Sequence, residues 1–252
     1  MARPVTGTIR SIQLVFALGV SLVMSCTGSF AWSQPTFLSR PIHATFQRIP
    51  LERLISQLST ISDGIVVLDR QIDPTQYVTL TCQGEDLLSV LFHIADKTGT
   101  ELAILESSAW LVPIGKAGSL EAADDERKAA LQKLPASMQQ RLATKQALHW
   151  QAGQKPAVLI EKILTRLKTD RLAVTPDDLS TVIPHDHLAA GNIIPVSLPE
   201  QLDMIAMQYN QHLRWEQNPE AASSVIVRFA PLPSQTVPRQ KITRPKQPQS
   251  DS

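Results

Sequence analysis

The chain has 252 residues, 24 basic and 23 acidic, with 43% hydrophobic side chains and two cysteines. A near-neutral balance without a concentrated basic face excludes a protein that holds nucleic acid by charge, and the length allows one or two small domains. The first segment, "MARPVTGTIR", carries Arg3 and Arg10 and no acid, "SIQLVFALGVSLVMSC" is almost uninterruptedly apolar, and Ala31 and Ser33 set a small-x-small site. This order predicts a signal peptide over 1–33, cleaved after Ser33, and a periplasmic or secreted mature protein. The apolar run is short for a membrane span. Cys26 closes "LVMSC", the ending of a lipoprotein signal, and is a candidate for lipid attachment, the one route by which the protein would meet a membrane. Of the 24 basic residues Arg3 and Arg10 leave with the leader, so 22 stand against 23 acidic, and Cys82 is the one cysteine left. No internal disulfide is then available. Stability must come from packed cores, for which roughly 200 residues suffice.

Residues 34–41 read as a short leader, and a patterned region follows over 42–115. "IHATF" is a short strand. "IPLERLISQLSTIS" places Leu51, Leu54, Ile55, Leu58 and Ile61 at helical spacing, with Pro50 suited to the first turn. "DGIVVLD" opens with a turn pair and reads as a strand. "QYVTLTC" alternates, with Val78, Leu80 and Cys82 on one face. "GEDLLSVLFHIADKTG" is a second helix with Glu85 and Asp86 at its positive end and Gly99 to stop it. "TELAILES" and "AWLVPI" form a hairpin. The order is β-α-β-β-α-β-β.

Residues 119–146 are rich in Ala, Leu, Gln and charge. They predict a helical linker, domain limits 116–145, divided by Pro135 and packed loosely on one unit. A second region, 146–231, repeats the order of elements: the strand "ALHW", the helix "KPAVLIEKILTRLKTD", the strand "RLAVTP", an extended "STVIPHDHL", the helix "SLPEQLDMIAMQYNQH" and the hairpin "LRWEQN"/"SSVIVRF". Ser197 with Glu200 three residues on is a capping box. The expected fold is α+β, two tandem β-α-β-β-α-β-β units, each a small sheet with two helices and its own core. Repeated prolines and polar residues over 232–252 predict a disordered basic tail.

The first unit resembles the STN domain, the short N-terminal domain of secretins and TonB-dependent receptors. The residues that carry the likeness are Leu51, Leu54 and Leu58, then Val67 to Asp69, then Val78-Thr79-Leu80, then Leu87-Leu88 with Thr98-Gly99, over about residues 43–113. The resemblance implies a small α/β protein-docking domain in the envelope with no catalytic residues. The second unit is similar only in its order of elements, with "IPHDHL" in place of the "VTL" strand.

His185 and His187 flank Asp186 and are the candidates for a metal site. In an extended segment both rings point one way, and zinc would need a third ligand, for which Asp177, Asp178 and His212 are available. A polar surface connection between Pro184 and Gly191 is the expected reading of the triplet. The isolated His43, His93, His149 and His212 are expected at core edges, Asp124-Asp125-Glu126 at the start of the linker helix, and Cys82 as a buried small hydrophobe. There is no G-x-S-x-G, no P-loop and no G-x-G-x-x-G. The expectation is a non-enzymatic docking protein without cofactor that meets an envelope protein, with addition of a partner strand to a sheet edge as the expected mode of docking. The alternatives are a metal-dependent enzyme using His185 and His187, and a wall-binding protein acting through the basic tail.

Overall fold

A computed structural model describes residues 35–151, 153–168, 191–220 and 224–234. The expected signal peptide, Cys26, His185, His187, Asp177, Asp178, the expected strand at 171–176 and the tail beyond 234 lie outside the described residues. The architecture is mixed α+β.

Strand β1 (Pro41–Pro50) runs directly into helix α1 (Leu51–Ser62). Pro50 offers no side-chain cap, so the first helical N–H groups donate elsewhere. Leu51 donates to the Gln76 carbonyl at 2.8 Å and Glu52 to that of Pro74 at 3.1 Å. Asp63, at φ 49, ends the helix, and β2 (Ile65–Leu68) follows. Strand β3 (Tyr77–Asp86) is longer than the alternating run that announced it. Asp86 closes it and caps α2 (Leu87–Thr98) by accepting from the Ser89 N–H at 2.7 Å. Gly99, at φ 65, stops α2, and β4 (Glu101–Ile104) and β5 (Ser108–Val112) form the hairpin. β1 pairs antiparallel with β3, while β5 lies between parallel β2 and antiparallel β4. Helices α1 and α2 each touch both of these sheets and fill the space between them.

The three-stranded sheet separates two cores by the two-residue period of its strands. Val66, Leu102, Ile104, Ala109 and Leu111 face α1 and α2 in the first core. Ile65, Ala103, Leu105, Trp110 and Val112 face the other way, into a second core. All five residues of β5 are buried, as a central strand covered on both faces requires. The first core also takes in Phe37 and Leu38 from a 3-10 turn at Thr36–Ser39. The segment expected as a leader is therefore part of the packing.

The linker is helical: α3 (Ala117–Gln132), then α4 (Ala136–Leu142) starting after Pro135. It is not loosely attached. Ala117, Leu120, Ala123, Asp124 and Arg127 are buried, and α3 lies against both β4 and a later strand, Gln211–Gln217. Beyond it come β6 (Lys145–Trp150), α5 (Pro156–Lys168), β7 (Gly191–Ser197), α6 (Leu198–Ala206), β8 (Gln211–Gln217) and β9 (Val225–Pro231). β6 pairs with β7 and β8 with β9, both antiparallel. The strand that pairs with β6 is thus "GNIIPVS", downstream of "IPHDHL". Pro195 falls at the register shift between Gln146 and Leu148, where the ladder needs no donor from it. Leu148, Leu159, Ile163, Leu202, Leu213 and Trp215 join Trp110 and Leu120 in the second core. The later half therefore builds its interior on the back of the first half's sheet rather than around itself.

Candidate functional site

α3 starts at Ala117, so Asp124 lies two turns inside it, away from the positive end of the helix. Asp124 belongs instead to a buried polar centre. Arg127, one turn on, reaches Asp124 Oδ1 at 2.5 Å, Glu106 Oε2 at 3.2 Å and Asp203 Oδ2 at 3.3 Å. Lys128 Nζ lies 2.7 Å from Asp124 Oδ2, which also accepts from the Glu106 N–H at 3.1 Å. Asp203 Oδ1 accepts from the Leu213 N–H at 2.9 Å. Glu200, the capping-box residue of α6, accepts from Ser107 at 2.5 Å through Oε1 and from the Ser197 N–H at 2.9 Å through Oε2. The centre thus joins the β4–β5 turn, α3, α6 and β8.

Its electrostatics follow from crowding. Burial opposes the charge on Arg127, but Asp124, Asp203, Glu200 and Glu106 outweigh it and hold the pKa above its ordinary value. For Asp203 burial wins over Arg127 and the Leu213 N–H, pushing the carboxyl up to about 6. A cavity of about 10 Å³ beside Ser107, Asp124, Arg127, Glu200 and Asp203 has the volume of one water site. It admits no substrate, so the chemistry of the centre is charge pairing and proton binding.

A second polar tie joins the end of β2 to the turn after α6. Lys116 Nζ lies 2.6 Å from buried Asp69 Oδ2 and 3.3 Å from the Met207 carbonyl. The Arg70 N–H donates to Gln208 at 3.0 Å, and the Arg70 guanidinium stacks 4.6 Å over the Tyr209 ring. Beside this tie an open groove of about 460 Å³ is lined by Gln71, Ile114, Lys116, Ser119, Asn210 and Leu232.

Side chains also bond backbone groups on three edge strands. Ser59 of α1 bonds the N–H and carbonyl of Val66 at 3.1 and 3.3 Å. Glu121 of α3 accepts from the Ile104 N–H at 3.2 Å, and Asp203 takes the outward N–H of Leu213. Such caps block strand addition. Strand β9 carries no side-chain cap on its backbone among the described residues.

Of the sequence candidates, His43, His93 and His149 are exposed. His212 is fully buried rather than at a core edge. Its Nε2 lies 3.8 Å from Glu126 Oε2, and neither ring nitrogen has a hydrogen-bond partner among the described residues. Among the described residues no three His, Cys, Asp or Glu side chains converge as metal ligands would. Cys82 is buried in the first core, and burial, helped by Glu85, pushes its thiol up to about 11. The polar centre was not anticipated from the sequence. Its one local signal is the Asp124–Arg127 spacing, which a solvated helix face shares.

No protein-family model matches the chain, and no curated protein matches it. Among solved structures, some align with part of it. One, described as an anti-sigma factor from Parabacteroides distasonis, is 25% identical over 31% of this chain and 35% of that one, with a TM-score of 0.27. Another, the type IV competence pilus secretin PilQ of V. cholerae, is 19% identical over 48% of this chain and 27% of that one, with a TM-score of 0.25. The chain therefore spans about a third of the first and a quarter of the second, and neither overlap reaches that of a shared whole fold.

Proposed function

We propose that this is an exported, non-enzymatic envelope protein that docks another protein of the envelope. One observation carries the reading. Residues 41–112 arrange two helices between a two-stranded ribbon and a three-stranded sheet, in the β-α-β-β-α-β-β order of the docking domain they resemble. The second half we read as a divergent copy. In support, β1–β3 and β6–β7 are both antiparallel with register shifts. Both β3 and β7 end on the residue that caps the next helix, Asp86 and Ser197. Export rests on the leader pattern of 1–33, and contact with a membrane on lipid attachment at Cys26.

The open edge of β9 is the place for a partner strand to add, since backbone bonds supply affinity there without a prepared pocket. A photo-crosslinking residue at exposed Arg228 of β9, in the protein expressed in cells, should capture one envelope protein; the same residue at Glu52 on α1 should not. Product release from a substrate library, or a metal retained by purified protein and lost in His187→Ala, overturns the reading.

A further inference from the structure

We propose that the centre around Arg127 is a proton-linked latch: uptake of one proton by its buried carboxylates tightens the attachment of α6 and β8 to α3 and the β4–β5 turn. The argument begins with a count of charge. Among the described residues of this centre Asp124, Glu200 and Asp203 are buried, and so is one cation, Arg127. Lys128, a third exposed, spends itself on Asp124 at 2.7 Å and Asp125 at 3.6 Å. Glu106, half exposed, draws the same guanidinium nitrogen that serves Asp124. Asp203 is left with a single 3.3 Å contact to a cation that two other carboxylates, Asp124 and Glu106, share.

The remaining elements against Asp203 do not repair the deficit. β8 supplies only the Leu213 N–H, because His212 lies against Glu126 instead. Glu200 comes from α6 itself and is held by the hydroxyls of Ser107 and Ser197, with no cation of its own. Lys145 and His149 of β6 and Glu161 and Lys162 of α5 are exposed. β7 contributes no titratable side chain, and the turn after α6 contributes only Tyr209, stacked under Arg70. A buried set with more carboxylates than cations lowers its free energy by binding a proton. Opening the junction returns Asp203 to water and to the ordinary carboxyl range. Acidification through the raised pKa of Asp203 therefore favours the closed junction, and neutral pH loosens it.

The test is amide hydrogen exchange on the purified full-length His212→Leu variant, which removes the opposing titration of that buried ring on β8, at pH 5.5 and 7.5, corrected for the intrinsic pH dependence of exchange. With Asp203 near 6 when closed and in the ordinary range when open, α6 and β8 should be protected about fourfold more at pH 5.5. α1 and α2 should not follow. Adding Asp203→Asn to this variant keeps an acceptor for Leu213 and removes the remaining titration, so protection should then be the same at both pH values. Equal protection at the two pH values in the His212→Leu variant, or a pH response that survives the added Asp203→Asn, overturns the latch. Should that variant not fold, carboxyl-carbon NMR of the unaltered protein decides: one carboxyl titrating between about pH 5 and 7 is expected, and all titrating below that range sinks the proposal.

Discussion

Lys116 Nζ lies 2.6 Å from Asp69 Oδ2, with the aspartate side chain fully buried and the lysine side chain 10% exposed. Asp69 ends the β2 segment and also accepts from the Gln71 N–H at 2.9 Å, so it organises the turn that carries Arg70 to Tyr209. Truncating the lysine leaves a buried carboxylate without its cation, which costs about 3–5 kcal/mol where it has been measured. Lys116→Met should therefore lower stability by about that amount in urea. Asp69→Asn, which keeps an acceptor for Gln71, should lose less. Equal losses would mean that the turn bond, rather than the charge pair, holds this junction.

The ring of Phe37 occupies the space that a Cβ at Gly64 would need. Gly64 has no side chain because the 3-10 turn folds back against the start of β2. Gly64→Ala forces Phe37 off its site and should cost about 1–3 kcal/mol, the usual penalty of overpacking. Adding Phe37→Ala removes the clash, so the double variant should be more stable than the sum of the two losses predicts. Strict additivity in the thermodynamic cycle would show that the ring does not rest on Gly64 in solution.

These examples mark what local chemistry discloses. The capping box at Ser197 and Glu200, the stop at Gly99 and the buried alternation of Val78, Leu80 and Cys82 are written within a few residues of themselves, and all are in the structure. β7 was hidden because Gly191 and Pro195 weaken a strand reading, and only the register shift opposite Pro195 shows why the strand tolerates it. The polar centre was hidden for a different reason. Asp203 is 76 residues from Arg127, and the Asp124–Arg127 spacing looks the same in water as in a core. Phe37 and Leu38 were missed because two apolar residues carry no period.

β5 allows a sharper test of the shared sheet, since adjacent residues face different cores. Trp110 is fully buried in the second core with its indole N–H on Ser108 Oγ at 2.9 Å, and Leu111 is fully buried in the first. Trp110→Ala should cost about 3–5 kcal/mol and Leu111→Ala about 2–5 kcal/mol. Their regional signatures should differ. In hydrogen exchange Trp110→Ala should expose α3 and the β8–β9 hairpin first, and Leu111→Ala should expose α1 and α2. If both variants loosen only α1 and α2, the second core does not rest on this sheet.

His212 makes the acid side of the stability profile separable from the latch. Burial, reinforced by Arg214 and opposed by Glu126, lowers its pKa, so the native ring stays neutral where an unfolded one would charge. The unfolded chain then takes up a proton that the native state refuses, and stability falls as pH drops through about 6.5. Asp203 acts in the opposite sense over the neighbouring range, gaining stability as pH falls through about 6. His212→Leu deletes two buried nitrogens that lack partners, so at pH 7 it should be as stable as the unaltered protein or more so. Between pH 7 and 5 its urea midpoint should rise relative to the unaltered protein, because the Asp203 contribution then stands alone. A variant that loses about 2 kcal/mol or more at pH 7 would show that the buried ring is hydrogen-bonded after all, and the assignment of the acid limb to His212 would fall with it.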